Sequence, residues 1–298
     1  MNNKTFQKSL KPSAVEEAVD YYFFRRLAHV LVPHLIRLGL SPNQVTFISL
    51  LWGVCGAFAA YQHYFLVSAL LVIVAIIFDC CDGQVARLTG QTSPIGRAMD
   101  GTFDLIWVTS LWLGIFFSGY VQKSALPGMS ELMCFGGAAM IVHCWAFDGI
   151  KIKYLELVEP DFSEQSVSTP VAWQMMKSYF RRGMLVHGLL AFCLAFQTYF
   201  FIDGGTQRKR LEPSVQQREK IRVQLEPVMR FWTWLGEGQH NTLVIIGLLF
   251  APLTPLVLYA AFFIIGILMS LWMVVGLFRW ARLYGAIQKS LADVAMTA

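Results

Sequence analysis

Residues 78–104 read FDCCDGQVARLTGQTSPIGRAMDGTFD, and apolar runs at about 64–81 and 99–120 flank and overlap this stretch. Asp79 and Asp82 are three residues apart, and Asp100 and Asp104 four apart, so on helices each pair shares one face. Two antiparallel helices joined by the intervening turn aim four carboxylates into one volume at a membrane border. Unneutralised, such carboxylates repel one another and are costly to desolvate. Neither aspartate pair encloses a Lys or Arg. Divalent cations supply the missing charge, and hard oxygen ligands favour Mg²⁺, Mn²⁺ or Ca²⁺. A pair of ions about 3.5–4 Å apart is the usual arrangement for displacement at phosphorus.

The residues between the aspartates fit the same chemistry. Gly83 lets a ligand approach the backbone. Arg87, one turn on, offers a planar fork to a phosphate oxygen. Thr92 and Ser93 add hydroxyl donors, and Gly96 allows two helices to pack closely. A lone pair of aspartates at a helix end is ordinarily a solvated cap. Four of them, with two Gly, an Ala and an Arg between two spans, point to a site.

Composition sets the frame for that site. Hydrophobic residues make up 56% of the 298 and charged residues only 14%, with a mean hydropathy of +0.52. A soluble domain of this size needs more charge on its surface. The net charge of +5 fits basic loops beside a membrane rather than nucleic-acid binding. Cys55, Cys80, Cys81, Cys134, Cys144 and Cys193 follow no zinc or disulfide spacing and read as packing residues. The first forty residues show no clean signal-peptide core.

The expected architecture is all-α and polytopic. Residues 1–13 are polar and predict a frayed terminus. Val15, Val19, Tyr22, Phe23, Leu27, Val30 and Leu31 recur at helical spacing among charges, which predicts an interfacial amphipathic helix within residues 1–40. Ser41-Pro42-Asn43 opens the next helix. Apolar runs lie at about 44–62, 64–81, 99–120, 129–149, 184–203, 241–254 and 256–279. Counting all seven as spans would leave the cations of 204–230, Arg279 and Arg282 outside the cell. Excluding 184–203 keeps every basic segment inside. Six transmembrane helices are therefore expected over 41–298. Residues 150–240 form a cytoplasmic or interfacial helical insertion, and 204–230 a solvated helix within it.

The 79–104 segment, written Asp79-x2-Asp82-Gly83-x2-Ala86-Arg87-x8-Gly96-x3-Asp100-x3-Asp104, matches every defined position of the class I CDP-alcohol phosphotransferase signature. Pro42-Asn43-Gln44-Val45-Thr46 also resembles the family's segment at the first span. The resemblance implies six transmembrane helices, a homodimer and a polar cavity open to the cytoplasm of a bacterial inner membrane. It implies two Mg²⁺ or Mn²⁺ ions, one held by Asp79, Asp82 and Asp100, the other by Asp79, Asp100 and Asp104. Asp104 would be the general base, and Asn43, Thr46, Gly83, Arg87 and Ser93 would hold the CDP part. The expected donor is CDP-diacylglycerol and the acceptor an alcohol; a soluble CDP-alcohol with a lipid or polyol acceptor is the alternative.

Weaker signals surround this centre. His143 and Asp148 are ionisable groups in or at the end of the fourth span. With Lys151, Arg279 and Arg282 they are candidates to grip a phosphorylated acceptor, although snorkelling and packing explain them too. His240 and Asn241 read as caps of the following span. A membrane prenyltransferase would need a second aspartate-rich motif. A cation transporter would place its carboxylates at midplane and show inverted repeats.

Overall fold

The computed structural model describes residues 3–124, 126–159, 167–202 and 213–297, and all regular structure in them is helical. Five stretches are long and apolar enough to cross a bilayer: Pro42–Tyr61, Phe65–Thr89, Pro94–Lys123, Met129–Val158 and Pro255–Leu291. The chain is thus an all-α integral membrane protein. It divides into two compact units, Met1–Val142 with Gly236–Ser270, and His143–Leu235 with Leu271–Ala298.

The first unit is built on α3 (Pro42–Tyr61), α4 (Phe65–Thr89) and α5 (Pro94–Phe117). Helix α3 starts at a capping box: Ser41 Oγ accepts from Gln44 N, and Gln44 Oε1 accepts from Ser41 N at 2.8 Å. Both α4 and α5 pack along α3. Two glycines make this approach possible. A Cβ at Gly53 would lie 2.6 Å from the Trp107 side chain, and one at Gly114 would strike the Ala57 carbonyl. Helix α4 ends on left-handed Gly90, and Ser93 caps α5, its Oγ accepting from Gly96 N at 2.9 Å.

The amino terminus is ordered where its polarity predicts fraying. Helix α1 (Asn3–Ser9) buries Phe6, whose ring meets His29 edge-on at 4.9 Å. Burial pushes the His29 imidazole below its usual pKa. After a π-turn at Asp20–Phe24, α2 (Arg25–Arg37) packs on α4 through Arg25, Ala28, Val32 and Leu35. Its carbonyls accept side-chain donors from α4: Gln84 Nε2 reaches Arg25 O at 2.8 Å. Tyr22, Phe23, Leu27, Val30 and Leu31 stay exposed, an apolar outer stripe suited to a lipid interface. The expected polar face of this segment is not solvated, because Glu16, Glu17 and Arg25 are buried.

Later in the sequence, α6 (Met129–Val158) runs from the first unit into the second. There α7 (Thr169–Arg181) and α8 (Leu185–Gln197) form an antiparallel hairpin. Gly183 closes it at φ +73°, with Met184 N bonded to Tyr179 O and Gly183 N to Phe180 O. Of the predicted helix over 204–230, residues 204–212 lie outside the described residues. Helix α9 (Val215–Trp232) covers the rest, and its Arg218 donates to the terminal carbonyls of Glu156 and Leu157.

Helix α10 (Glu237–Phe250) has 14 residues, about 21 Å at the helical rise, shorter than the roughly 30 Å hydrocarbon layer. A turn then leads into α11 (Pro255–Phe263), continued through a π-turn by α12 (Met269–Thr297). His240 and Asn241 do not cap α10. Gly236 holds the cap position, and both side chains are buried within the helix.

Candidate active site

Helices α4 and α5 bring three of the four motif aspartates together. One carboxylate oxygen from each of Asp79, Asp82 and Asp100 lies within 4.8 Å of the others. Three hard, anionic oxygens at this spacing, with Asp82 buried, fit a divalent cation. Asp104 stands outside that trio but close enough for its charge to interact with all three. Trp107 Nε1 donates to Asp104 Oδ1 at 3.1 Å, which orients the carboxylate.

Thr46, singled out as a donor-binding residue, also contacts the aspartates directly. Its Oγ1 lies 2.6 Å from Asp82 Oδ2 and 3.0 Å from Pro42 O. The first contact is the shorter, and a hydroxyl donating to a carboxylate is the stronger of the two bonds. Helix α3 thereby positions one member of the trio. Asn43, Ser93 and Gly96 meet at the starts of α3 and α5: a Cβ at Gly96 would lie 3.0 Å from Ser93 Oγ and 3.2 Å from Asn43 Oδ1.

Arg87 folds back over Gly83, its guanidinium nitrogens 3.2 and 3.3 Å from where a Cβ would sit. Its Nε donates to Ser9 O, a contact the motif did not foretell. Its Nη2 is buried without a hydrogen-bond partner among the described residues. A buried donor left unmade is costly, so an arriving phosphate oxygen would relieve it.

Sequence reasoning missed two contributors. Arg25 reaches this region from α2, ion-paired with Glu16 at 2.7 Å and near enough to Asp79 to feel its charge. A cation thus lies near the aspartates, supplied by a segment far away in the chain. Glu237, at the start of α10, interacts by charge with Asp79 and Asp104. The position of α10 is set by the amino-terminal acids. Gln239 N donates to buried Glu17, and a Cβ on Gly238 would lie 2.5 Å from Asp20 Oδ1. Anions at a helix amino terminus are favourable, and two glycines make room for them. The pattern Gly236-Glu237-Gly238 was the available signal, but nothing local ties it to the aspartates.

The candidate acceptor residues all belong to the second unit. Asp148 pairs with Lys151 and accepts from Gln197 Nε2 at 3.5 Å, and Lys151 also lies over the Phe147 ring. Arg279 rests on Phe231, itself stacked on Trp272 at 4.1 Å. Arg282 is exposed and His143 fully buried.

Residues 39–152 match the family model of the CDP-alcohol phosphatidyltransferases. The archaetidylinositol phosphate synthase of Pyrococcus horikoshii is 32% identical over 88 residues, 30% of this chain and 47% of that protein. The phosphatidylinositol phosphate synthase of Streptomyces avermitilis is 29% identical over 151 residues, 50% of this chain and 56% of the relative. The CDP-diacylglycerol–serine O-phosphatidyltransferase of Helicobacter pylori is 32% identical over 108 residues, 36% of this chain and 46% of the relative. The chain spans about half the length of the relatives it matches. The matched segment contains the whole aspartate motif and the three helices that shape it, so residues 39–152 are similar, in sequence and in the placing of the motif, to the CDP-alcohol phosphatidyltransferases.

Proposed function

We propose that this protein transfers a substituted phosphoryl group from a CDP-linked donor, CDP-diacylglycerol, to the hydroxyl of an alcohol and releases CMP. The observation that carries this reading is the Asp79–Asp82–Asp100 oxygen trio with Asp104 beside it, inside the family-matched segment. The reaction serves phospholipid synthesis. In this reading residues 41–298 cross the bacterial inner membrane six times, with the short α10 as the fifth crossing, and the protein works as a homodimer with its site facing the cytoplasm.

Two Mg²⁺ or Mn²⁺ ions, held by Asp79, Asp82 and Asp100 and by Asp79, Asp100 and Asp104, would neutralise the pyrophosphate and the departing CMP. The chain's own groups do the rest. Arg87 Nη2 meets a phosphate oxygen of the donor. Asn43, Ser93 and the open backbone at Gly83 and Gly96 receive the nucleotide, while Thr46 holds Asp82. Trp107 occupies Asp104 Oδ1, which leaves Oδ2 to take the proton of the acceptor hydroxyl. The hydroxyl oxygen bonds to the far phosphorus, and the bond from that phosphorus to CMP breaks, the electron pair leaving with CMP. His143, Asp148, Lys151, Arg279 and Arg282 are assigned to a phosphorylated acceptor.

The domain organisation follows from the same charges. Residues 1–40 form an interfacial segment and 41–298 the membrane domain, with 150–240 a cytoplasmic or interfacial insertion. The α7–α8 hairpin supports the exclusion of 184–203 from the spans. A crossing α8 would draw its partner α7, with Lys177 on its exposed face, into lipid.

The test is CMP release by the purified protein with Mg²⁺ or Mn²⁺. CDP-diacylglycerol and soluble CDP-alcohols are offered separately, each against inositol phosphate, glycerol phosphate, serine and diacylglycerol. Turnover is expected with the lipid donor. Turnover with soluble donors alone reverses the donor assignment, and no CMP from any pair overturns the function.

A further inference from the structure

The α7–α8 hairpin carries a charge pattern that the transfer reaction does not use. Residues 167–202 contain Lys177, Arg181 and Arg182 and not one carboxylate. Gln174, Lys177, Ser178, Arg181 and Arg182 recur at three- and four-residue spacing, so they share one face of α7 and its cap. They line a cleft of about 340 Å³. All three cations are exposed, and among the described residues none of them forms an ion pair.

The other side of the hairpin is apolar. Trp173 packs against Phe192 at 6.0 Å, and the Phe180 ring lies over Gly188, where a Cβ would come within 2.7 Å. That contact seals α7 to α8 and turns a second apolar row outward. Leu185, Val186 and Leu189 are 66%, 64% and 58% exposed, and Phe192 and Phe200 continue the row. A soluble surface does not keep such a row in water. Cations that edge an exposed apolar row suit a lipid leaflet, where acyl chains meet phosphates.

We propose that this hairpin is an anionic-lipid site: Lys177, Arg181 and Arg182 hold the phosphate of a negatively charged phospholipid while the outer row of α8 lies against its acyl chains. Arg181 and Arg182 offer guanidinium forks to the phosphate oxygens. Lys177, one turn back, adds a point charge, and Gln174 and Ser178 add neutral donors. The lipid is bound intact, with no bond made or broken. The assignment stands apart from the proposed transfer reaction, since it rests on the second unit alone.

The full-length protein is reconstituted into discs of equal phosphatidylglycerol and phosphatidylcholine, then extracted into detergent, and the retained lipids are counted by native mass spectrometry. Wild type should retain phosphatidylglycerol preferentially. K177Q/R181Q/R182Q should lower that preference by at least tenfold, since each cation near an anionic surface contributes on the order of fivefold. The charge-preserving K177R/R181K/R182K should keep most of it. Should the neutral variant fail to fold, wild type carries the test: the preference must collapse as NaCl rises from 0.05 to 0.5 M. Equal retention of both lipids by wild type, or a preference unchanged in the neutral variant, overturns the site. So does displacement of the lipid by millimolar inorganic phosphate, which would reassign the cleft to a free anion.

Discussion

Arg25 and Arg181 are both helical arginines, yet their surroundings differ. Arg25 is 5% exposed and held by Glu16 at 2.7 Å, with Asp20 at 4.0 Å. Arg181 stands exposed beside two more cations with no carboxylate in the hairpin. Around Arg25, charge lies inside and opposite signs fix one another's positions. Around Arg181, the hairpin's charge faces outward and is screened by whatever lies there. Buried charge is costly unless every group is matched, so it specifies geometry. Exposed charge specifies only a kind of partner.

The hardest way to break this contrast is to remove the buried carboxylates. Asp79→Ala and Asp100→Ala should each lower CMP release by about 10³-fold or more, because each carboxylate would serve both ions. Asp82→Ala should alter the Mg²⁺ and Mn²⁺ dependence of turnover more than its ceiling. Asp104→Asn should abolish turnover while nucleotide affinity stays near wild type, as befits a base. Mild, equal losses at all four positions would show that these charges are merely tolerated.

Next in size is the difference between two ion pairs. Arg25→Met removes one partner of a buried pair and should destabilise the protein by about 3–5 kcal/mol. Arg230→Met breaks an exposed pair, Arg230 to Glu226 at 2.7 Å, and should cost less than about 1 kcal/mol. Thermal unfolding in one detergent compares them directly. A similar shift for both variants would erase the distinction between the units.

Glu237→Gln tests whether the acid from α10 belongs to the centre. Removing its charge from beside Asp79 and Asp104 should lower turnover by roughly tenfold and shift the optimal metal concentration. An unchanged metal titration would make Glu237 a helix-terminal acid and nothing more.

These sites divide by how far apart their parts lie in the chain. Asp79, Asp82 and Asp100 were legible because helical periodicity and one short turn suffice to gather them. The long apolar helices were legible from hydropathy alone. By contrast, Glu17 meets Gln239 across 222 residues and Thr46 meets Asp82 across 36, and no periodicity announces either. The amino terminus misled for the same reason. Its residues look polar, but Phe6 docks on His29 and Ser9 O receives Arg87, contacts visible only once α4 is in place. Arg25 was not legible as a neighbour of Asp79, because it lies 54 residues earlier, outside the aspartate-bearing turns.

The smallest expected effect falls where packing and polarity coincide on one side chain. Trp107 is 1% exposed, covers Gly53, and donates Nε1–H to Asp104 Oδ1. Trp107→Phe keeps an aromatic ring over the glycine and removes the donor. Stability should fall by only about 1 kcal/mol, the net worth of a typical hydrogen bond. Turnover should fall by roughly three- to tenfold with donor affinity unchanged, because the carboxylate loses the contact that orients it. Trp107→Leu separates the two roles by losing ring packing as well, so it should unfold at a lower temperature than the Phe variant while its turnover falls no less. Measured kcat and nucleotide Kd decide between them. A Phe variant with full kcat would mean that Asp104 is held by its neighbours' charges and that Trp107 serves packing alone. A reduced kcat at unchanged Kd would put the indole N–H among the groups that position the base.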